Sequence, residues 1–79
     1  MIRYVIKNKK GKYFRGLSSY PIEYTKSLGL LPVFDQDLDY AKFYTKEETV
    51  NRIYNKLKND YGEDCKVVKV ELREVEDEN

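Results

Sequence analysis

Apolar residues recur with a clear period in three stretches of this chain. Ile2, Tyr4 and Ile6 alternate with Arg3, Val5 and Lys7, the two-residue period of a strand with one buried face. The polar stretch from Asn8 to Lys12 contains Gly11, which can take the positive φ of a tight turn. Tyr13, Phe14, Arg15, Gly16 and Leu17 then read as the returning strand of a β-hairpin. Near the other end, Val68, Val70 and Leu72 alternate with Lys69, Glu71 and Arg73, which predicts a half-buried antiparallel strand within residues 65–75.

Between these strands lies the helical pattern. Val50, Ile53, Tyr54, Leu57 and Tyr61 recur at three- and four-residue steps over residues 45–62, making one apolar stripe. Thr45 is placed to cap its start, with Glu48 completing a capping box, and Gly62 follows the last stripe residue where a left-handed C-cap belongs. A helix this short is marginal alone in water and needs a tertiary surface. The surface on offer is the face formed by Ile2, Tyr4 and Ile6 with Val68, Val70 and Leu72.

Residues 18–34 have no clean period. Pro21, Gly29 and Pro32 interrupt a stretch that carries Tyr20, Ile22, Tyr24, Leu28, Leu30, Leu31, Val33 and Phe34. That is too much apolar material for a surface loop, so the stretch is expected to be partly packed. The pattern suggests a helical turn at 22–28 and a short strand at 30–34. Asp35 to Tyr40 is a polar turn opening a single helical turn, and residues 41–44 are extended. The whole predicts an α+β domain over residues 1–75: a three- to four-stranded antiparallel sheet with one helix, about 46–61, on one face, in the order ββ(loop)αβ. Residues 76–79 form an acidic tail that is expected to fray.

At 79 residues the chain has room for one core. A single cysteine, Cys65, cannot form an internal disulfide, so a stapled secreted fold is not indicated. No apolar run reaches the length of a membrane span, and the N-terminus lacks a signal-peptide core. A soluble cytosolic protein is therefore expected. The net charge is only +1, but residues 1–20 hold Arg3, Lys7, Lys9, Lys10, Lys12 and Arg15 with no acid, while the rest is acidic.

Candidate chemistry is thin. The chain has no histidine, the usual base near neutral pH, and Ser18, Ser19 and Ser27 lack the context of an activated nucleophile. Asp35, Asp37 and Asp39 suggest a calcium loop, but the glycine and bidentate glutamate such a loop needs are replaced by Tyr40 and Lys46. An acidic turn is the better reading. Cys65 reads as a small hydrophobe. No enzyme activity, cofactor or metal is expected.

Two binding surfaces remain. The basic hairpin places Lys7, Lys9, Lys10, Lys12 and Arg15 around Tyr13, the mixture of cations and aromatics that holds single-stranded nucleic acid. Lysine-rich tips also serve solubility and guard strand edges, and the overall charge balance is not that of a nucleic-acid binder. The second surface is Tyr20, Tyr24, Leu28, Leu30, Leu31 and Phe34. These residues either complete a small core or form a Tyr/Leu-rich patch of the kind that anchors protein interfaces. An interface, with a second copy or with another protein, would relieve the poor surface-to-volume ratio of so short a chain.

Taken in order, Tyr4-Val5-Ile6, Gly11-Lys12-Tyr13-Phe14, Asp37-Leu38 through Ala41-Lys42-Phe43, Thr45-Lys46-Glu47-Glu48 and the terminal valine strand resemble small accessory proteins of bacteriophages and prophages of Gram-positive bacteria. The resemblance skips residues 18–34. It implies a phage accessory role without assigned chemistry, so no functional residue is carried over. The expected function is non-enzymatic binding and modulation of a host protein, such as a defence component. The alternatives are nucleic-acid binding through the hairpin and a self-associating structural role.

Overall fold

The first strand is the hub of the sheet. In the computed structural model, which describes residues 1–22 and 27–75, with side chains outside that description at 19–22 and 27–30, β1 (Ile2–Asn8) pairs antiparallel with β4 (Cys65–Glu71) along its whole length. On its other side it meets β2 (Tyr13–Ile22) at the single rung Lys7–Tyr13. The hairpin turn between them is closed by the Asn8 N–H donating to the Lys12 carbonyl at 2.8 Å and by Gly11 at φ 82°. β2 then pairs with β3 (Ser27–Asp35), giving a four-stranded antiparallel sheet in the order β3-β2-β1-β4.

The α+β expectation holds, and α1 (Glu47–Tyr61) covers one face of the sheet. Val50 and Leu57 are buried against Ile6 and Phe14, with Ile53, Tyr54 and Tyr61 packed beside them. The start of α1 differs from the predicted capping box. Lys46 is the N-cap and makes no side-chain cap bond, so Thr45 lies outside the helix and Glu48 falls one position too early to close a box. Glu47 and Glu48 instead place negative charge on the first turn, where the helix dipole favours it. The C-terminal reading is confirmed: Gly62 adopts φ 65°, and its N–H and that of Glu63 both point to the Leu57 carbonyl.

The β4 face differs by one residue from the expected phase. Ile6 stands opposite Val67 and Val5 opposite Val68. Because directly opposed residues share a face, Cys65 and Val67 join Tyr4 and Ile6 beneath the helix, while Val68 and Val70 lie on the far side with Val5. The adjacent Val67-Val68 pair made either phase legible, and the longer stripe was the wrong one. Ile2 (47% exposed) and Leu72 (39% exposed) lie beyond the helix-covered core.

Residues 18–34 also depart from expectation. β2 continues to Ile22 and β3 begins at Ser27, so positions 22, 27 and 28 are strand where a helical turn was expected. The remainder of that turn, Tyr24 included, lies outside the described residues. The β2–β3 pair is a long two-stranded ribbon with Pro21 and Pro32 inside it. It leaves the body at a β-bulge between Phe14 and Gly16, where Gly16 takes φ 144°. The space it vacates beside β1 is filled by the segment before the helix: Tyr4 and Tyr44 exchange backbone bonds of 2.8 and 2.9 Å, and the Lys42 N–H donates to the Phe14 carbonyl at 2.8 Å. The molecule measures 55 × 29 × 21 Å with a radius of gyration of 15.0 Å, against about 12 Å for a compact chain of this length.

Replacing Leu57 by Ala should cost about 3 kcal/mol. Val67→Asp, which puts a charge under the helix, should cost about 2 kcal/mol or more, whereas Leu72→Lys should stay within about 0.5 kcal/mol. Urea unfolding of the three variants tests the phase of β4, because the opposite phase would reverse the last two.

Candidate functional site

The acidic turn is a folding device. The Asp35 carboxylate accepts the Asp37 N–H at 2.8 Å, and the Asp37 carboxylate accepts the Asp39 N–H at 3.0 Å, capping the 3₁₀ turn Leu38–Tyr40. Asp35 also takes Arg15 at 3.4 Å, an exposed pair of small energetic weight. The Asp35 and Asp37 carboxylates are thus turned toward backbone donors, and among the described residues no group of three potential metal ligands converges.

Cys65 is half-buried, and its thiol points to the Glu63 carbonyl with 3.8 Å between the heavy atoms. Burial pushes its pKa up, and the nearby negative charges of Glu63 and Asp64 push the same way, against a smaller opposing effect from Lys58. The thiol therefore stays protonated where a reactive cysteine would be a thiolate. Tyr44, half-buried beneath the ribbon root, likewise holds its phenol proton above the ordinary range through burial.

The basic hairpin is divided by the fold. Lys9, Lys10 and Lys12 stand at the turn, where Glu63 and Asp64 line the same surface hollow and the Lys9 N–H donates to the Asp64 carbonyl at 3.0 Å. Acids that follow the helix in sequence therefore meet the lysines of the tip, which offsets their field. Lys7 and Tyr13 belong instead to the sheet face away from the helix, with Lys7 Nζ 5.4 Å from the centre of the Tyr13 ring. Arg15 stacks over Tyr40 at 4.9 Å. Register adds two cations that the sequence reading did not single out: Arg3 opposite Val70, and Lys66 directly opposite Lys7. Alternation along β4 carried that signal, once its phase was known.

The second predicted surface is also divided. Phe34 packs on the core, its ring 5.7 Å from that of Phe14. Leu31 is 50% exposed on the ribbon. Tyr20, Leu28 and Leu30 are strand residues of the ribbon whose side chains lie outside the description, as does Tyr24 altogether.

At the ribbon root the structure opens a notch of about 300 Å³ that neither surface anticipated. Phe14, Gly16 and Leu17 of β2 form one wall, Tyr44 another, and Ile53 and Leu57 of α1 the third, while Arg15, Lys42 and Lys56 stand around it. Nothing among family models, curated proteins or solved structures matches the chain.

The Cys65 environment predicts slow modification by Ellman's reagent at pH 8 relative to a free thiol, with the rate rising only above the ordinary thiol range. Glu63→Gln with Asp64→Asn should accelerate it. The sign for stability follows: the folded chain keeps a proton that the unfolded chain has already lost, so this thiol's contribution declines as pH rises through that window.

Proposed function

We propose that this protein is a non-enzymatic binding module that works by contacting another protein through the β2–β3 ribbon and its root. The observation that carries this reading is the ribbon itself. An isolated two-stranded ribbon is at best marginally stable, yet this one extends from the body with Leu31 and, at 36%, Leu17 exposed. Apolar residues held out on a projecting element suit recognition better than core formation. In biological terms, the module is an accessory protein of a phage or prophage that acts in the cytoplasm of a Gram-positive host, modulating a host protein such as a defence component. The resemblance to such proteins rests on the chain's own residues. Among the described residues, no helix is long and apolar enough to cross a membrane.

A second reading, nucleic-acid binding, is favoured by the helix-free sheet face. Like charges directly opposite on neighbouring strands destabilise a sheet, and Lys7 faces Lys66 there. Asp64 lines the same hollow and offsets part of the penalty; an added anion would remove the rest, with the Tyr13 ring beside Lys7.

Affinity capture from a Gram-positive host lysate, run in parallel with a Leu31→Asp variant, tests the first reading. A specific protein retained by the native chain and lost by the variant supports it. Capture that is absent, or indifferent to the substitution, overturns it. Fluorescence anisotropy with single-stranded DNA across a salt series tests the second. Phosphate contacts predict affinity falling steeply with salt, and Lys7→Glu with Lys66→Glu should abolish it.

A further inference from the structure

The prolines of the ribbon give its two edges different properties. Proline has no N–H for a ladder and is tolerated where its nitrogen points away from the neighbouring strand. Pro32 stands opposite Leu17, and Pro21 opposite Leu28, four rungs along the same ladder. Side-to-side alternation of backbone groups has a period of two residues, so both prolines are in the same phase, with both nitrogens turned outward. On β3 this breaks the outer edge in mid-strand. On β2 the same phase turns the N–H and C=O groups of Leu17 and Ser19 outward before Pro21 closes the edge.

Leu17, the first of them, lines the notch, and Ser19 follows two residues along the same edge. β1 has already left β2 after one rung, and no backbone bond from another element reaches β2 between Gly16 and Ile22 among the described residues. The notch has an apolar floor from Phe14, Leu17, Tyr44, Ile53 and Leu57, and its volume of about 300 Å³ accommodates one large apolar side chain. The charges around it are Arg15, Lys42 and Lys56, with no acid lining it. Arg15 is shared with Asp35, and neither Lys42 nor Lys56 has an ion-pair partner among the described residues.

We propose that the notch binds a short extended peptide with one large apolar anchor flanked by acidic residues, added as a strand to the free edge of β2. Strand addition supplies main-chain bonds, and a pocket for one side chain supplies specificity. The cations select acidic flanks and hasten encounter. The proposal rests on the protein-binding reading and names its partner's recognised segment.

The test uses the full chain and a fluorescein-labelled hexapeptide pool with Leu, Phe, Tyr or Trp at the third position and Asp or Glu elsewhere. Binding is followed by anisotropy and by amide shifts in ¹⁵N-labelled protein. The pool should bind, shifting Leu17, Ser19, Lys42 and Lys56. Lys56→Glu should weaken it by about tenfold, and Ser19→Pro should weaken it by removing an outward donor while sparing the ladder to β3. Should Ser19→Pro unfold, Lys56→Glu and the shift map decide alone. Equal binding of a pool with Lys in place of the acids overturns the proposal. Binding that ignores both variants and shifts other residues overturns it while leaving the protein-binding reading intact. Failure of the pool, alongside tight binding of a labelled twenty-nucleotide thymidine strand, overturns the proposal and that reading together. Failure of both probes overturns the proposal alone.

Discussion

One buried ring, Phe14, decides how the two parts of this molecule are joined. It sits where β2 leaves β1, within the cluster of Ile6, Val50 and Leu57, so the helix and the first strand hold it in place. From there its carbonyl anchors Lys42 and its ring meets Phe34. The fork itself follows from a conflict over β1. Tyr4 has committed its backbone groups on that side to Tyr44, and a backbone donor can serve only one ladder partner. β2 therefore cannot run on beside β1 and must turn away. The bulge at Arg15 and the positive φ of Gly16 make that turn. Bulges commonly re-aim a strand where a binding surface is wanted, and here the turn creates the notch.

Charge shows the same dependence on topology. Read along the chain, the basic front end looks like a lysine-coated hairpin. In three dimensions the end of α1 brings Glu63 and Asp64 to that hairpin's tip, so the positive field is weakened where the lysines are densest. On the opposite sheet face Arg3, Lys7 and Lys66 are spread across two strands, and Asp64 reaches the hollow that holds Lys7 and Lys66 as well. A near-neutral net charge thus conceals an uneven one, and local field rather than overall charge governs which partners are drawn in.

Much of the fold was legible because its elements carry redundant local signals. The helix has a stripe, a stop at Gly62 and acids in its first turn, so losing the expected Thr45 cap moved its start by a residue or two without changing its face. The hairpin at Gly11 was equally plain. Legibility ended where local pattern is degenerate. Val67 and Val68 are both apolar, and only the pairing with β1 assigns them to faces. Pro21 and Pro32 were read as breaks because proline cannot sit in a central strand. In a ribbon with two free edges that prohibition does not apply. Of the candidate residues whose side chains are described, Arg15 alone reaches the notch. Lys42, Lys56, Tyr44 and Ile53 come from a connecting segment and from α1, and no spacing along the chain signals that they meet.

The edge prolines also bear on how so exposed a ribbon can persist without aggregating. A long two-stranded ribbon with apolar residues and bare edges would normally recruit further strands. Pro32 interrupts the outer edge of β3 near its middle, so no strand can pair along it continuously. The edge of β2 is open only between its bulge at Arg15 and Pro21, room for a short segment and too little for a stable sheet to grow. Within that window the notch and its cations impose a further condition, an apolar anchor with negative neighbours. Growth of the sheet by other copies of the ribbon is disfavoured because Leu17, Ser18 and Ser19, like Leu30 to Phe34, carry no acid. The same prolines that make the stretch look unstructured in sequence thus leave a protected ribbon with one selective opening.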